Sequence, residues 1–485
     1  MINWKIIFKV IGQLLFIEAF MMLICCCVAS YCHADDMAAF LVSAVLTIMC
    51  GSVLQVFGRN ATNMLSRRDA YLVVTLTWLI FSLFGSLPFI ISGYLPNFTD
   101  AYFETMSGFT TTGATVIDNV EALPHGLLFW RSFTHFIGGL GIVFFTIAIL
   151  PNTDRGGLRL YSAEATGPLN SKLQPRLTTS AKWIWMIYGI LTASCIIAYY
   201  LQGMNLFDAI NYGLSTTATG GFSTHNSSTV GFHSPSLEYT CTIFMFLSSI
   251  NFPLLYMGVC KGKIRDLLHN AEFRFFISLA ALFTLIIMIE LIIHNGYSVE
   301  HAFRSGIFQV MSFMSTTGLF NDDAAKWPHV TWVILAMCMF FGACSGSTCG
   351  GFKCIRGVMV LKIIKNQFRQ MLHPNAVLPL KINGVNVSLQ KRVTLLAFLA
   401  TYLILCLVIS FTMIAMGIDN TNAITITLSA LGNVGPSLGL EIGPTMSWSM
   451  LPAAAKWMCS IMMLLGRLEI FSVLILFTPQ FWKGN

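Results

Sequence analysis

Ten stretches of roughly 20 apolar residues, the length a helix needs to cross a bilayer core, dominate this chain. They lie near 6–30, 37–58, 70–94, 127–150, 183–202, 239–260, 275–294, 330–352, 393–417 and 448–478. Only helices and closed barrels satisfy every backbone polar group in lipid, so runs of this length point to an all-α integral membrane protein. Composition agrees: of 485 residues, 55% are hydrophobic and only 10% charged, against about 25% charged in a soluble domain. A soluble enzyme, a disordered chain and a nucleic-acid binder are excluded as the main reading. The first run is longer than the roughly 7–15 residues of a signal-peptide core, so it is expected to persist as a helix.

Charge sets the orientation. Loops on one side, including Lys5, Lys9, Arg59, Arg67, Arg68, segments 151–182, 261–274 and 353–392, and Lys483, hold 23 of the 28 Lys and Arg. The opposite loops hold 13 of the 21 acids. By the positive-inside rule both termini are cytoplasmic. The 14 Cys sit mostly inside apolar runs and read as small membrane-core residues. Cys344 and Cys349, the one close pair, lack the further ligands of a transition-metal site.

After two leading helices (1–65), the remaining eight spans form four pairs. Each outer connection carries a semi-apolar segment too short to cross, ending in a Gly-containing turn that is hydroxyl-rich or holds an Asn. The repeats are 66–151 with turn 110–114, 152–262 with turn 217–221, 263–370 with turn 315–319, and 371–485 with turn 432–436. Aligned on Gly113, Gly220, Gly318 and Gly435, the turns lie 107, 98 and 117 residues apart. Irregular backbone at membrane depth is tolerated only where protein or a water-filled cavity shields it, so the four turns are expected to converge on one axis. Carbonyls from such a ring can replace the hydration shell of a monovalent cation. Gly permits the φ values that align successive carbonyls. The hydroxyls of Thr112, Thr219 and Thr317 are available as further ligands, whereas the fourth turn has Val434 there.

The four segments, the paired helices, the leading pair and Gly138-Gly139-Leu140-Gly141 resemble the Trk/Ktr/HKT superfamily of potassium transporters over essentially the whole chain. The resemblance implies a four-repeat pore in one polypeptide of the bacterial inner membrane, a homodimer, and a TrkA-like cytoplasmic nucleotide-binding ring that regulates it. It implies potassium as substrate, bound at Thr111, Thr112 and Gly113; Ala218, Thr219 and Gly220; Thr316, Thr317 and Gly318; and Asn433, Val434 and Gly435. One aligned Gly per turn, in place of a Thr-Val-Gly-Tyr-Gly loop, guarantees fewer stacked carbonyl sites. Selectivity is therefore expected to be looser; that potassium and rubidium pass well and sodium less well is what the resemblance implies, since carbonyl geometry alone does not fix the ranking.

Two features suggest a gate. Four Gly within Gly342-Ala343-Cys344-Ser345-Gly346-Ser347-Thr348-Cys349-Gly350-Gly351 must weaken the eighth span. Close helix packing would also explain small residues there, but the resemblance implies an intramembrane loop (342–352) below the filter, hinged at Gly346, Gly350 and Gly351. Arg467 sits about 7.5 Å on the cytoplasmic side of the last span's middle. Such a charge needs a cavity or a partner: either an ion pair with another helix, for instance Glu290, or a fixed positive charge in the pore. Lys353, Arg356, Lys362, Lys365 and Arg369 suggest a basic helical extension into the cytoplasm. That extension, with 151–182, reads as a solvated or lipid-binding face, or as the dock for the regulatory ring.

A carrier coupling potassium to protons or sodium is the competing reading. The acids inside spans are Glu18, Glu290 and Glu469, and none is expected beside a filter turn; His135 reads as a hydrogen-bonded structural residue. An enzyme is not expected. The chain has no His-Glu-x-x-His motif, Ser345 lacks the Gly of a nucleophile elbow, and Phe352 follows Gly351 where a phosphate-binding loop requires Lys. No cofactor is implied.

Overall fold

Short polar side chains placed just before apolar runs start most of the helices, as expected for residues that cap free N–H groups. A computed structural model describes residues 2–61, 65–141, 177–259 and 261–483. Helices α1 (Trp4–Tyr31) and α2 (Met37–Phe57) form a leading hairpin. It is tied to the rest at both ends. Asp69, within the Ser66 capping box of α3 (Arg67–Gly85), also accepts from Asn3 N at 3.0 Å. Asp36 accepts from Leu127 N at 2.7 Å.

Each of the four repeats that follow has a long helix, a short helix with a turn, and a second helix. The first runs through α3, α4 (Leu87–Ile91), α5 (Phe98–Phe109) and α6 (His125–Leu140). The second comprises α7 (Leu177–Leu201), α8 (Leu206–Ala218), α9 (Pro235–Ser249) and α10 (Phe252–Val259). The third adds α11 (Ile264–His269), α12 (Ala271–Asn295), α13 (Val299–Met314), α14 (His329–Phe340) and α15 (Cys354–Leu372). The fourth comprises α16 (Leu389–Ala415), α17 (Asn420–Gly432), α18 (Ala453–Arg467), α19 (Phe471–Leu474) and α20 (Pro479–Trp482). Ahead of α16, Asn383 and Gly384, both at positive φ, turn a two-stranded antiparallel hairpin, β1 (Lys381–Ile382) with β2 (Val385–Asn386), in which Lys381 faces Asn386.

The short helices α5, α8, α13 and α17 have 12, 13, 16 and 13 residues, or about 18–24 Å. A bilayer core is about 30 Å thick, so none can cross. Each is N-capped by its own side chain: Asn97, Asn205, Ser298 and Asp419.

Six predicted spans are helices long and apolar enough to cross, one in each of α1, α2, α7, α12 and α16, and one running over Arg67–Ile91. The other four, the second helices of the repeats, are not continuous spans. Helix α6 ends at Leu140, where Gly141 takes φ +94; 142–150 lies outside the described residues. Between α9 and α10 the axis bends by 104°: Pro253 has no N–H to offer a continuing helix, and Asn251 caps the new one by accepting from Leu254 N at 3.1 Å. Helix α14 stops at Phe340 and no helix resumes until Cys354. The last span begins at Ala453, not 448, after Pro452. It then bends by 107° between Ala453–Arg467 and Phe471–Phe477, at Glu469 and Ile470, which take φ +56 and +44.

The core follows the repeats. Trp78, Trp130 and Trp448 are fully buried among the leading hairpin and repeats one and four, while a second apolar cluster fills repeats two and three. Outward-facing side chains such as Val53, Ile293, Leu407 and Phe411 stay exposed, as lipid-facing surfaces require.

Candidate ion pore

Four matching caps shape the turns that end the short helices. At the end of each short helix, the backbone N–H of Thr112, Gly220, Thr317 or Val434 donates at 2.9 Å to the carbonyl of Ser107, Ser215, Ser312 or Ser429, five residues earlier. This is the bond of a Schellman cap, in which the preceding residue turns left-handed. Those residues are Thr111, Thr219, Thr316 and Asn433, with φ of +53, +56, +57 and +55. Left-handed conformations cost a side-chain-bearing residue about 1–2 kcal/mol. Four equivalent outliers mark a place where local strain is held by its surroundings.

One residue after each donor stands a glycine at positive φ: Gly113, Gly221, Gly318 and Gly435, at +80, +87, +78 and +102. The matched glycine of the second turn is therefore Gly221, and the one-residue register expected there from Gly220 is corrected. Ala218 is the last helical residue of α8, in register with Thr110, Ser315 and Gly432. The hydroxyl layer changes too, because Gly220, not Thr219, matches Thr112 and Thr317. Thr112 pairs with the Thr110 hydroxyl at 2.8 Å and Thr317 with the Ser315 hydroxyl at 2.7 Å, while Thr219 bonds the Ala218 carbonyl at 2.7 Å.

The turns close into a ring. A Cβ on Gly113 would collide with the Gly220 carbonyl oxygen, one on Gly221 with that of Thr317, one on Gly318 with that of Val434, and one on Gly435 with that of Thr112. Each repeat thus touches the next, and the fourth touches the first. All four glycines line a cavity of about 440 Å³ together with Asp118, Ser447 and Ser449.

Buried polar groups brace the ring from behind. Glu104 on α5 accepts from Arg131 Nε at 2.9 Å and from Val116 N at 2.9 Å. Arg131 donates to Ser223 O at 3.1 Å and lies 4.1 Å over the Phe222 ring, joining the first turn to the second. Glu104, which the sequence places among the acids of the outer connections, stands here on the short helix that carries the first turn. His135 hydrogen-bonds Ser215 Oγ at 3.2 Å and stacks on Phe222 at 4.2 Å.

Beneath the ring, residues 341–353 form a loop that touches repeats two, three and four directly and is linked to repeat one through Arg467. Gly350 N donates to Thr316 Oγ1 at 2.8 Å, Thr348 Oγ1 to Thr217 O at 3.2 Å, and Gly350 packs against Gly432 O. Arg467 supplies the fourth link: its guanidinium donates to Thr348 O at 2.8 Å and to Gly138 O and Gly139 O at 2.5 and 2.6 Å. The segment is thus linked, directly or through Arg467, to every repeat. Its ends are anchored by Glu272, which accepts from Ser345 N at 2.6 Å, Ser345 Oγ at 3.0 Å and Ile355 N at 3.1 Å. Asn251, at the break in repeat two, donates to Ser345 O at 2.5 Å. Gly346 and Gly351 take φ +74 and +72, whereas Gly350 is required by its close approach to Gly432.

Comparison with known proteins decides the family. The model of the TrkH cation transport protein family matches residues 37–483. The chain belongs to the TrkH family. A Trk system potassium uptake protein TrkH of Halomonas elongata is 37% identical over 99% of both chains, and that of Escherichia coli is 36% identical over 99% of this chain and all of its own. The crystal structure of the potassium transporter TrkH from Vibrio parahaemolyticus superposes with a TM-score of 0.90 at 33% identity, covering 99% of this chain and 100% of that one.

Two further expectations for this TrkH family member change. Glu290 forms an i,i+4 pair with His294 at 3.3 Å, and the guanidinium of Arg467 is spent on the carbonyls of other repeats. The basic extension is not uniformly solvated. Lys353 is buried and donates to Cys349 O, and Arg356 pairs with Glu469 at 2.5 Å and lies 4.0 Å over Phe398. Lys365 and Arg369 are exposed and Lys362 is half-buried. Most of the other basic segment, 151–176, lies outside the described residues.

Proposed function

We propose that this chain is the membrane subunit of a potassium uptake system, conducting K+ passively across the bacterial inner membrane through the four-turn ring. The closed glycine ring carries the reading, because four irregular turns at membrane depth need a shared polar axis and a carbonyl ring suits a dehydrated monovalent cation. The relatives' names as potassium uptake proteins support the choice of ion. In the corrected register, the filter comprises Thr111, Thr112 and Gly113; Thr219, Gly220 and Gly221; Thr316, Thr317 and Gly318; and Asn433, Val434 and Gly435. Rubidium passes well and sodium less well. The 341–353 loop is the gate, hinged at Gly346, Gly350 and Gly351 and latched by Arg467. The chain works as a homodimer without a cofactor or an enzymatic step of its own. Opening is controlled by a cytoplasmic nucleotide-binding ring that pulls on α15 through Lys362, Lys365 and Arg369. The brace role of Glu104 supports a passive pore: a carboxylate fixed by Arg131 and Val116 N is poorly placed to shuttle protons. The test is ion flux into liposomes holding only the purified protein, with a potassium gradient and no pH or sodium gradient. Flux down that gradient, exceeding the sodium flux in matched controls, is expected. Flux that appears only when a pH or sodium gradient is imposed would replace the pore by a coupled carrier.

A further inference from the structure

The cavity above the glycine ring has an uneven charge. Among the described residues lining it, only Asp118 and Arg131 are charged, and Arg131 is neutralised by Glu104 at 2.9 Å. Asp118 is therefore the vestibule carboxylate with no ion-pair partner among the described residues; Lys456, the cation that acts on it from a distance, is itself paired with Asp100 at 2.7 Å. Its carboxylate is also held in place. Ser447 and Ser449, from the segment that follows the fourth turn, both donate to Oδ1, Ser449 at 2.6 Å. Oδ2 has no hydrogen-bond partner among the described residues. The backbone is fixed as well, since Asn226 Nδ2 donates to Asp118 O at 3.1 Å and Trp448 N donates to Thr115 O at 2.7 Å. Residues of the first, second and fourth repeats thus converge to present one carboxylate oxygen at the mouth of the ring.

We infer that Asp118 is an outer cation-capture site, a carboxylate that binds a still-hydrated alkali cation in the vestibule before it enters the filter. The inference rests on the proposed pore reading and adds a residue that the filter motif does not contain. A low-dielectric cleft lined by one sign of charge raises the local concentration of the counter-ion. The two Ser hydroxyls, which stabilise the ionised carboxylate, outweigh its partial burial and with the more distant Lys456 hold Asp118 below its ordinary range, which favours the charged form. Asp100, nearby in sequence, cannot share the task, because it pairs with Lys456 at 2.7 Å.

The test is initial-rate Rb+ uptake, against Rb+ concentration, by intact cells stripped of their other potassium uptake systems and expressing wild type, Asp118→Asn or Asp118→Glu. Asn keeps an oxygen for Ser447 and Ser449, so the vestibule wall stays pinned while the charge is lost. At low ionic strength Asp118→Asn is expected to raise KM about fivefold, the scale of one charge acting over several ångströms at intermediate dielectric, with Vmax unchanged. Asp118→Glu restores the wild-type KM. In about 0.5 M impermeant salt, where the screening length falls to a few ångströms, the difference disappears. An unchanged KM, a KM shift indifferent to salt, or a fall in Vmax alone would overturn the capture site and leave Asp118 a structural residue. Absence of uptake by the wild type would instead sink the pore reading beneath it.

Discussion

The adjacent glycines of the second turn have different jobs, and a pair of substitutions separates them. Gly221 is at φ +87 and its Cα lies against the Thr317 carbonyl. Alanine there incurs about 1–2 kcal/mol of left-handed strain as well as a backbone collision that cannot relax without opening the ring. Gly220 is not at positive φ, and the nearest atoms its Cβ would meet belong to the His135 ring, a side chain that can be shortened. Gly221→Ala is therefore expected to abolish Rb+ uptake alone and in combination with His135→Ala. Gly220→Ala is expected to abolish it alone and to recover it in combination with His135→Ala. Equal rescue of both would refute the register assigned from the backbone. The sequence held a signal for this register that the doubled glycine obscured. Ser107, Ser215, Ser312 and Ser429 each stand six residues before the matched glycine, whereas counting back from Gly220 breaks the spacing by one. Glu104 and Arg131 were harder to find, since nothing local links residues on different helices that meet only when the first turn folds.

The four interrupted second helices govern the level beneath the filter, and only the third was legible in sequence, through its run of glycines. Averaged hydropathy continues across the breaks at Asn251 and Glu469, although Ser248, Ser249 and Arg467 stand beside them. At the second break Pro253 acts locally and Asn251 also serves the 341–353 loop, whereas at the fourth Glu469 serves Arg356 across the fold. Helix starts were more readable than they were read, since Pro124, Pro328 and Pro452 immediately precede α6, α14 and α18. The loop's own closure depends on how Arg467 acts, and two substitutions decide between a latch and a charge barrier. The guanidinium reaches three carbonyls on two repeats at once, a fork geometry that a Lys ammonium does not reproduce. Hydrogen bonds to a charged group contribute about 1.5–3 kcal/mol each, so loss of even one favours the open loop by roughly tenfold or more. Arg467→Ala and Arg467→Lys are both expected to raise basal Rb+ efflux from liposomes lacking any regulatory partner. A leaking Ala variant beside a tight Lys variant would show that positive charge, and not bridging, keeps the pore shut.

Across the whole molecule, every function assigned above depends on which face meets the cytoplasm. The long helix α12 runs from Asn270, beside the β-hairpin where Ala271 N meets Asn383 Oδ1 at 2.9 Å, to Gly296, where α13 begins its approach to the filter. The segment 353–392 carries Lys362, Lys365, Arg369, Lys391 and Arg392, whereas the connections around the third and fourth short helices carry Glu300, Asp322, Asp323, Asp419 and Glu441. By the positive-inside rule the hairpin is expected to face inward and the vestibule outward. Two exposed positions bracket this span: Gly296, whose Cα has open space around it, and Val377, which is 93% exposed. Exposed loop tips accept insertions without disturbing the fold, so a short protease-recognition sequence can be placed after either. The Val377 insertion is expected to be cut only in inside-out vesicles and the Gly296 insertion only in right-side-out vesicles, with Rb+ uptake by the uncut variants close to wild type. The reverse pattern would put the gate loop on the outside and Asp118 in the cytoplasm. Capture of a scarce external cation would then lose its meaning, and the acidic vestibule would serve the exit of an ion that the cell already holds.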